Sequence, residues 1–342
     1  MLRNSSRPIA FLAAFLLSCA LASGEDWTRP RPLRAGDVIR FVAPAGVVSG
    51  DEVRRCRELF EAKGYKVVVP ENIERRHLYL NGTDEERAAE LNEALRDPEA
   101  RAVFACRGGY GLTRILDRLD YDALAEHPKI VLGFSDLTGL HLAIGAKCRL
   151  VSFHGPMPLA SLNREDGDRK YASDLLWRLL RTGTYADSPS PEAALTIPAP
   201  SPAQRPKALV PGKATGRLTG GNLSLVAATV GTPYQIETKG RILFLEDTHE
   251  AAYRVDRMLS QLRLAGLLDG LSGVVLGSFD GADEKELAAV FRDYFADRGF
   301  PVLAGFPVGH IPHNAALPYG VPAEIDADAA TLRLLESPLA AE

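Results

Sequence analysis

Ala102-Val-Phe-Ala-Cys-Arg-Gly-Gly-Tyr-Gly111 is a short apolar run that breaks into a glycine-rich turn, and Ile130-Val-Leu-Gly-Phe-Ser-Asp136 has the same form further along. Each run is too short for a helix and too evenly apolar for a half-exposed strand, so each reads as a strand buried on both faces. A helical pattern follows both turns. Leu112, Ile115, Leu116 and Leu119 lie at i, i+3, i+4 and i+7, and Leu137, Leu140 and Ile144 mark the next helix. Strand, turn and helix in alternation require a parallel sheet flanked by helices.

Upstream, Val38-Ile-Arg-Phe-Val42 is a strand ending in Ala43-Pro-Ala-Gly46, and Val53, Cys56, Leu59 and Phe60 mark one helix face closed by Gly64. Val67-Val-Val69 returns as a strand. Thr83 and Glu86 form a T-x-x-E capping box opening a helix with Ala88, Leu91 and Leu95. Downstream, residues 161–212, with one helix around Leu175–Leu180 and a Pro-rich tract from Ser188 to Pro211, read as an interdomain connection. The chain resumes with Gly216–Asn222, a strand Arg241–Leu245, a helix through Val255, Met258, Leu259 and Leu262, a strand Val274–Leu276 and a helix over 284–298. The expected organisation is a domain over 30–160, a linker over 161–212 and a second domain over 213–338.

The length of 342 residues fits two domains. Lys+Arg 40 against Asp+Glu 44, a net charge of −4 without a basic block, argues against a nucleic-acid partner. Residues 1–22 have the order of a secretory signal: Arg3 and Arg7, the apolar run Ile9–Leu17, then small residues to Ala22. That run is too short to span a bilayer, and none later is longer, so a membrane-spanning protein is not expected. Cleavage after Ala22 competes with a lipobox-like Leu16-Leu-Ser-Cys19, which would leave Cys19 as a lipid anchor. Either route exports the protein to the periplasm or envelope. Cys56, Cys106 and Cys148 remain, an odd number that gives no disulfide framework.

Gly133-Phe-Ser-Asp136 stands where a strand turns into a helix, the setting that presents a serine hydroxyl on a tight turn. Position 137 is Leu, so the match to G-x-S-x-G is incomplete, and Ser135-Asp136 is equally a helix N-cap. Amides of the neighbouring Gly108–Gly109 loop could face Ser135 as an oxyanion hole. His310 and Glu246 both end apolar strands, where open α/β sheets collect functional groups, though each is also readable as structural. His249-Glu250 lacks a second histidine four residues on, and His310-x-x-His313 spans a proline, so neither forms a metal-binding helix face.

Five segments together resemble the LD-carboxypeptidase family of serine peptidases: Arg107–Gly111, Gly133–Asp136, His154–Met157, Gly220–Leu223 with Leu245–Glu250, and Gly309–Gly320. The resemblance covers roughly residues 30–335. It implies an α/β fold with an N-terminal flavodoxin-like parallel sheet and a C-terminal mixed, barrel-like domain, meeting at an interdomain active site. It makes Ser135 the nucleophile, His310 the base and Glu246 the orienting acid, with Glu250 a less suitable alternative. The amide of Asp136 and one from Gly108 or Gly109 would form the oxyanion hole. The implied activity is release of the terminal D-alanine from peptidoglycan tetrapeptides, a small-peptide substrate, with no cofactor or metal. An export signal departs from the cytoplasmic members of the family.

Other readings are a microcin-type immunity peptidase acting on a peptidyl-nucleotide, a periplasmic ligand-binding protein and a metal-dependent carboxypeptidase. The oligomeric state stays open, a homodimer being one option.

Overall fold

The computed structural model describes residues 26–163 and 167–341, so the expected signal segment 1–22 and Cys19 lie outside the described residues. The strands are β1 (Val38–Val42), β2 (Lys66–Val68), β3 (Ala100–Ala105), β4 (Ile130–Gly133), β5 (Phe153–His154), β6 (Lys207–Val210), β7 (Lys213–Asn222), β8 (Arg241–Asp247), β9 (Gly273–Phe279), β10 (Val302–Ala304), β11 (Leu317–Pro318), β12 (Pro322–Asp326) and β13 (Thr331–Leu334). The helices are α1 (Gly50–Ala62), α2 (Asp84–Arg96), α3 (Tyr121–Glu126), α4 (Thr138–Cys148), α5 (Asp168–Thr182), α6 (Pro191–Leu195), α7 (Leu223–Ala228), α8 (Ala252–Leu264) and α9 (Glu284–Phe295).

The first sheet runs β11-β5-β4-β3-β1-β2. Its first five strands are mutually parallel, in the flavodoxin-like order 2-1-3-4-5, whose carboxyl edge opens a crevice where the order reverses between β1 and β3. Buried Phe41, Phe104, Leu132 and Phe153 fill its middle, as strands covered on both faces require. The sixth strand, β11, comes from near the end of the chain and pairs antiparallel with β5.

The second sheet runs β13-β12-β7-β8-β9-β10-β6 and is mixed: β7 through β10 are parallel, while β6, β12 and β13 pair antiparallel. One hydrophobic core reaches from Phe41 and Phe104 in the first sheet to Phe244, Val275 and Leu332 in the second.

The capping box forms as read, with the Glu86 amide donating to Thr83 Oγ1 at 3.2 Å and the Thr83 amide to Glu86 Oε2 at 2.7 Å. Three stretches differ from their sequence reading. Residues 112–118 form two 3-10 turns in place of one helix, because Gly111 enters at φ +130° and the Leu112 amide is taken by the Asp136 carboxylate. The last helix closes at Phe295 rather than 298. The 161–212 segment is more than a connection: α5 buries Leu175, Leu176, Leu179 and Leu180 in the shared core, and β6 is an edge strand of the second sheet.

Candidate active site

Ser135 follows β4 with φ +63°, a left-handed conformation that strains a residue bearing Cβ and typically costs about 1–3 kcal/mol. Only glycine fits at 133, since a Cβ there would fall 2.6 Å from Leu137 Cγ. Gly133 thus makes room for Leu137, which stands where G-x-S-x-G has its second glycine. The loop after β3 lies alongside: a Cβ on Gly108 would meet Ser135 Oγ at 3.2 Å, and one on Gly109 would meet Gly46 Cα at 3.1 Å. The structure thus places Gly108 beside the serine that Asp136 follows, with Gly109 against Gly46.

Ser135 Oγ is 3.0 Å from His310 Nε2, and His310 Nδ1 is 2.7 Å from Glu246 Oε2. A carboxylate only accepts, so Nδ1 carries the proton and Nε2 is left to accept from the serine hydroxyl. Glu246, one residue before the end of β8, is fully buried, and that burial pushes its carboxyl up, partly offset by the His310 contact. Burial pulls the imidazole down, yet the Glu246 hydrogen bond and the charges of Glu246, Asp247 and Asp280 outweigh it, leaving His310 above the ordinary histidine value of 6.5. Glu250 is elsewhere, 3.5 Å from Arg254.

The histidine's backbone is held as tightly as its ring. Gly309 has φ +118°, and a Cβ there would lie 2.8 Å from both Glu246 Cβ and Oε2. Its amide donates to the buried Asn314 Oδ1 at 2.9 Å.

Sequence reasoning missed the groups that brace this arrangement. The Asp136 side chain, buried and pushed up to about 6 by that burial, accepts the Leu112 amide at 2.9 Å. From the opposite side the fully buried Arg87 donates to the Gly111 carbonyl at 2.9 Å and to the Pro44 carbonyl, and pairs with Asp84. The glycine loop is clamped between them. Asp247, next to Glu246, accepts from Asn222 Nδ2, the Ser224 amide and hydroxyl, and the Thr248 amide, all within 2.9 Å. The Asn222 amide in turn donates to Thr138 Oγ1 at 3.0 Å, which fixes the second sheet to the helix behind Ser135. A Cβ on Gly221 would lie 2.6 Å from that same oxygen, a close approach that the Gly-Gly-Asn run signalled.

Cys106, His141 and His154 lie outside this relay. Cys106 is buried and its thiol pushed far up by burial, so it is a poor nucleophile. His141 bonds Ser152 Oγ and the Gly133 carbonyl, and His154 is buried between Phe134 and Phe244. Among the described residues no three His, Cys, Asp or Glu side chains converge as a metal-binding group, and no helix is long and apolar enough to cross a membrane.

Comparison with known proteins agrees with this architecture. Residues 39–155 match the family model for the LD-carboxypeptidase N-terminal domain, and residues 215–325 the model for its C-terminal domain. A probable murein peptide carboxypeptidase of Bacillus subtilis is 36% identical over 305 residues, covering 87% of this chain and 91% of that protein. Among solved structures, the microcin C7 self-immunity protein MccF in complex with glutamyl sulfamoyl guanosine has a TM-score of 0.79 at 28% identity, covering 91% of this chain and 99% of that one. Muramoyltetrapeptide carboxypeptidase from Oxalobacter formigenes has a TM-score of 0.73 at 31% identity, covering 87% and 97%.

Proposed function

The chain belongs to the LD-carboxypeptidase family and is a serine-type carboxypeptidase, and on that footing we propose that it releases the terminal D-alanine from the tetrapeptide stem of peptidoglycan through an acyl-enzyme. The observation that carries the reading is the unbroken relay from Ser135 through His310 to a buried Glu246, with contacts of 3.0 and 2.7 Å. The murein and muramoyltetrapeptide substrates in the names of its relatives support the choice of peptide.

In this mechanism His310 Nε2 takes the Ser135 proton while the oxygen attacks the carbonyl of the penultimate residue. The developing oxyanion faces amides of the Gly108–Gly109 loop and of Asp136, and donors placed in advance cost no reorganisation as charge appears. The imidazolium passes its proton to the leaving D-alanine nitrogen, so the C–N bond breaks and the acyl group stays on Ser135. Water, activated by the same histidine, then hydrolyses the ester and returns the proton to Ser135. Glu246 stays ionised throughout and holds the ring in the required tautomer. The signal-like residues 1–22 support action outside the cytoplasm, on wall peptides.

A peptidyl-nucleotide substrate is the second reading, favoured by the likeness to MccF. The test is mass spectrometry of a disaccharide-tetrapeptide incubated with the mature protein, its Ser135→Ala variant and an EDTA-treated sample. Loss of one D-alanine is expected with untreated and EDTA-treated protein, and the variant should lose about 10⁴- to 10⁶-fold of kcat. Near-normal turnover by the variant would sink the serine assignment, and cleavage of a nucleotide-linked peptide alone would favour the second reading.

A further inference from the structure

A carboxypeptidase must recognise the free carboxylate that lies one residue beyond the bond it cuts, and the triad contains no cation to do so. The crevice beside Ser135 does. Arg107 immediately precedes Gly108, which lies beside the serine; its side chain is exposed, its Nη1 donates to the Val47 carbonyl at 3.1 Å, and it makes no ion pair among the described residues. Its guanidinium lies over Gly46, where a Cβ would come 3.5 Å from Arg107 Nε and 2.9 Å from the Gly108 carbonyl. This is the β1/β3 switch point, the place on such a sheet where ligands bind.

The wall of the crevice is unusual in its own right. His77 and Leu80 exchange both backbone hydrogen bonds, at 3.0 and 2.9 Å, and Leu80 and Asn81 run against Ala45–Gly46. The resulting turn displays Leu78, at φ +54°, and Tyr79, which are 67% and 58% exposed. Tyr79 meets the half-exposed Tyr110 of the glycine loop edge to face, with centroids 5.8 Å apart. Strain and exposed aromatic surface thus occur together beside the glycine loop, where a ligand would use them. The nearby Arg114 is engaged by both oxygens of Asp84, which leaves Arg107 as the guanidinium of this loop free to take a carboxylate.

We propose that Arg107, walled by Tyr79 and Tyr110, is the subsite that binds the C-terminal carboxylate of the departing D-amino acid. This rests on the carboxypeptidase reading above and specifies how the enzyme selects the end of a chain. The charge carries the recognition and the tyrosine pair confines the small residue that bears it.

The test compares the stem tetrapeptide ending in D-alanine with the same peptide ending in D-alaninamide, using kcat/KM. Wild type should prefer the acid, and Arg107→Gln should lower kcat/KM for the acid by about 10- to 100-fold while leaving the amide unchanged. Arg107→Lys should restore part of the preference. Arg76→Gln serves as control: the Arg76 side chain bonds the Leu78 carbonyl at 3.1 Å, and its loss should leave the preference intact. An unchanged preference in Arg107→Gln, or an equal fall for both peptides, would overturn the subsite while the carboxypeptidase reading stands. Cleavage of neither peptide by wild type would instead remove the D-alanine reading and this subsite with it.

Discussion

Gly309 shows how much of the site depends on single atoms. Adding one carbon there would push against Glu246 and force an unfavourable φ, displacing the His310 ring. Displacements of about 1 Å in a catalytic constellation cost on the order of 10²-fold, so Gly309→Ala should lose about that much in kcat with little change in KM. The pH profile belongs to the same atoms. Catalysis needs neutral His310, whose pKa lies above 6.5, so kcat/KM should fall as pH drops through that raised value. Glu246→Gln removes the charge that raises it, so the acid limb should move to lower pH while the maximum rate falls. A limb that stays in place would assign it to another group. Gly133-Phe-Ser-Asp136 marked Ser135 as a candidate while leaving a helix N-cap equally open, and Glu246 and His310 became more than strand-end residues only through a family resemblance. Arg87 was not legible at all. Within Asp84-Glu-Glu-Arg87 it reads as one more charge on a solvated helix, and its burial depends on carbonyls of Pro44 and Gly111, far off in sequence.

Among the elements, the glycine loop is the one whose shape is imposed from outside. Asp136 holds the Leu112 amide, Arg87 the Gly111 carbonyl, and neither bond belongs to a helix or ladder. Arg87→Met would leave two buried carbonyls without their donor while Asp84 keeps Arg114, a loss of about 2–4 kcal/mol that should appear in the urea midpoint, with a fall in kcat beyond the loss of folded protein. Unchanged turnover per folded molecule would detach the clamp from catalysis. This external control is also why the turns at 112–118 were read as a helix. Leu112, Ile115, Leu116 and Leu119 are all buried, as the spacing said, but a stripe of buried residues does not distinguish one helix from two successive turns. The strands of the first sheet were legible because continuous apolar runs leave little choice. The 161–212 stretch was not, because its prolines and glycines outweigh one well-patterned helix, and the edge strand β6 has half-exposed residues that carry little apolar signal.

For the whole molecule, the two sheets are joined by more than a shared surface. Leu317–Pro318 completes the edge of the serine-bearing sheet, Trp27 lies against Gly145 of α4 and Gly320 after β11, and one core runs through both sheets. Unfolding in urea should therefore be a single transition, with the fluorescence of Trp27 and Trp177 coinciding with far-UV circular dichroism; separated midpoints would show that the halves fold independently. The late position of β11 in the chain also sets a schedule. A ribosome lays down Ser135 long before His310 and adds the closing strand later still. A product cut short before that point would hold Ser135 without His310 or the finished edge of its sheet, so the proposed hydrolysis is expected only once both are in place.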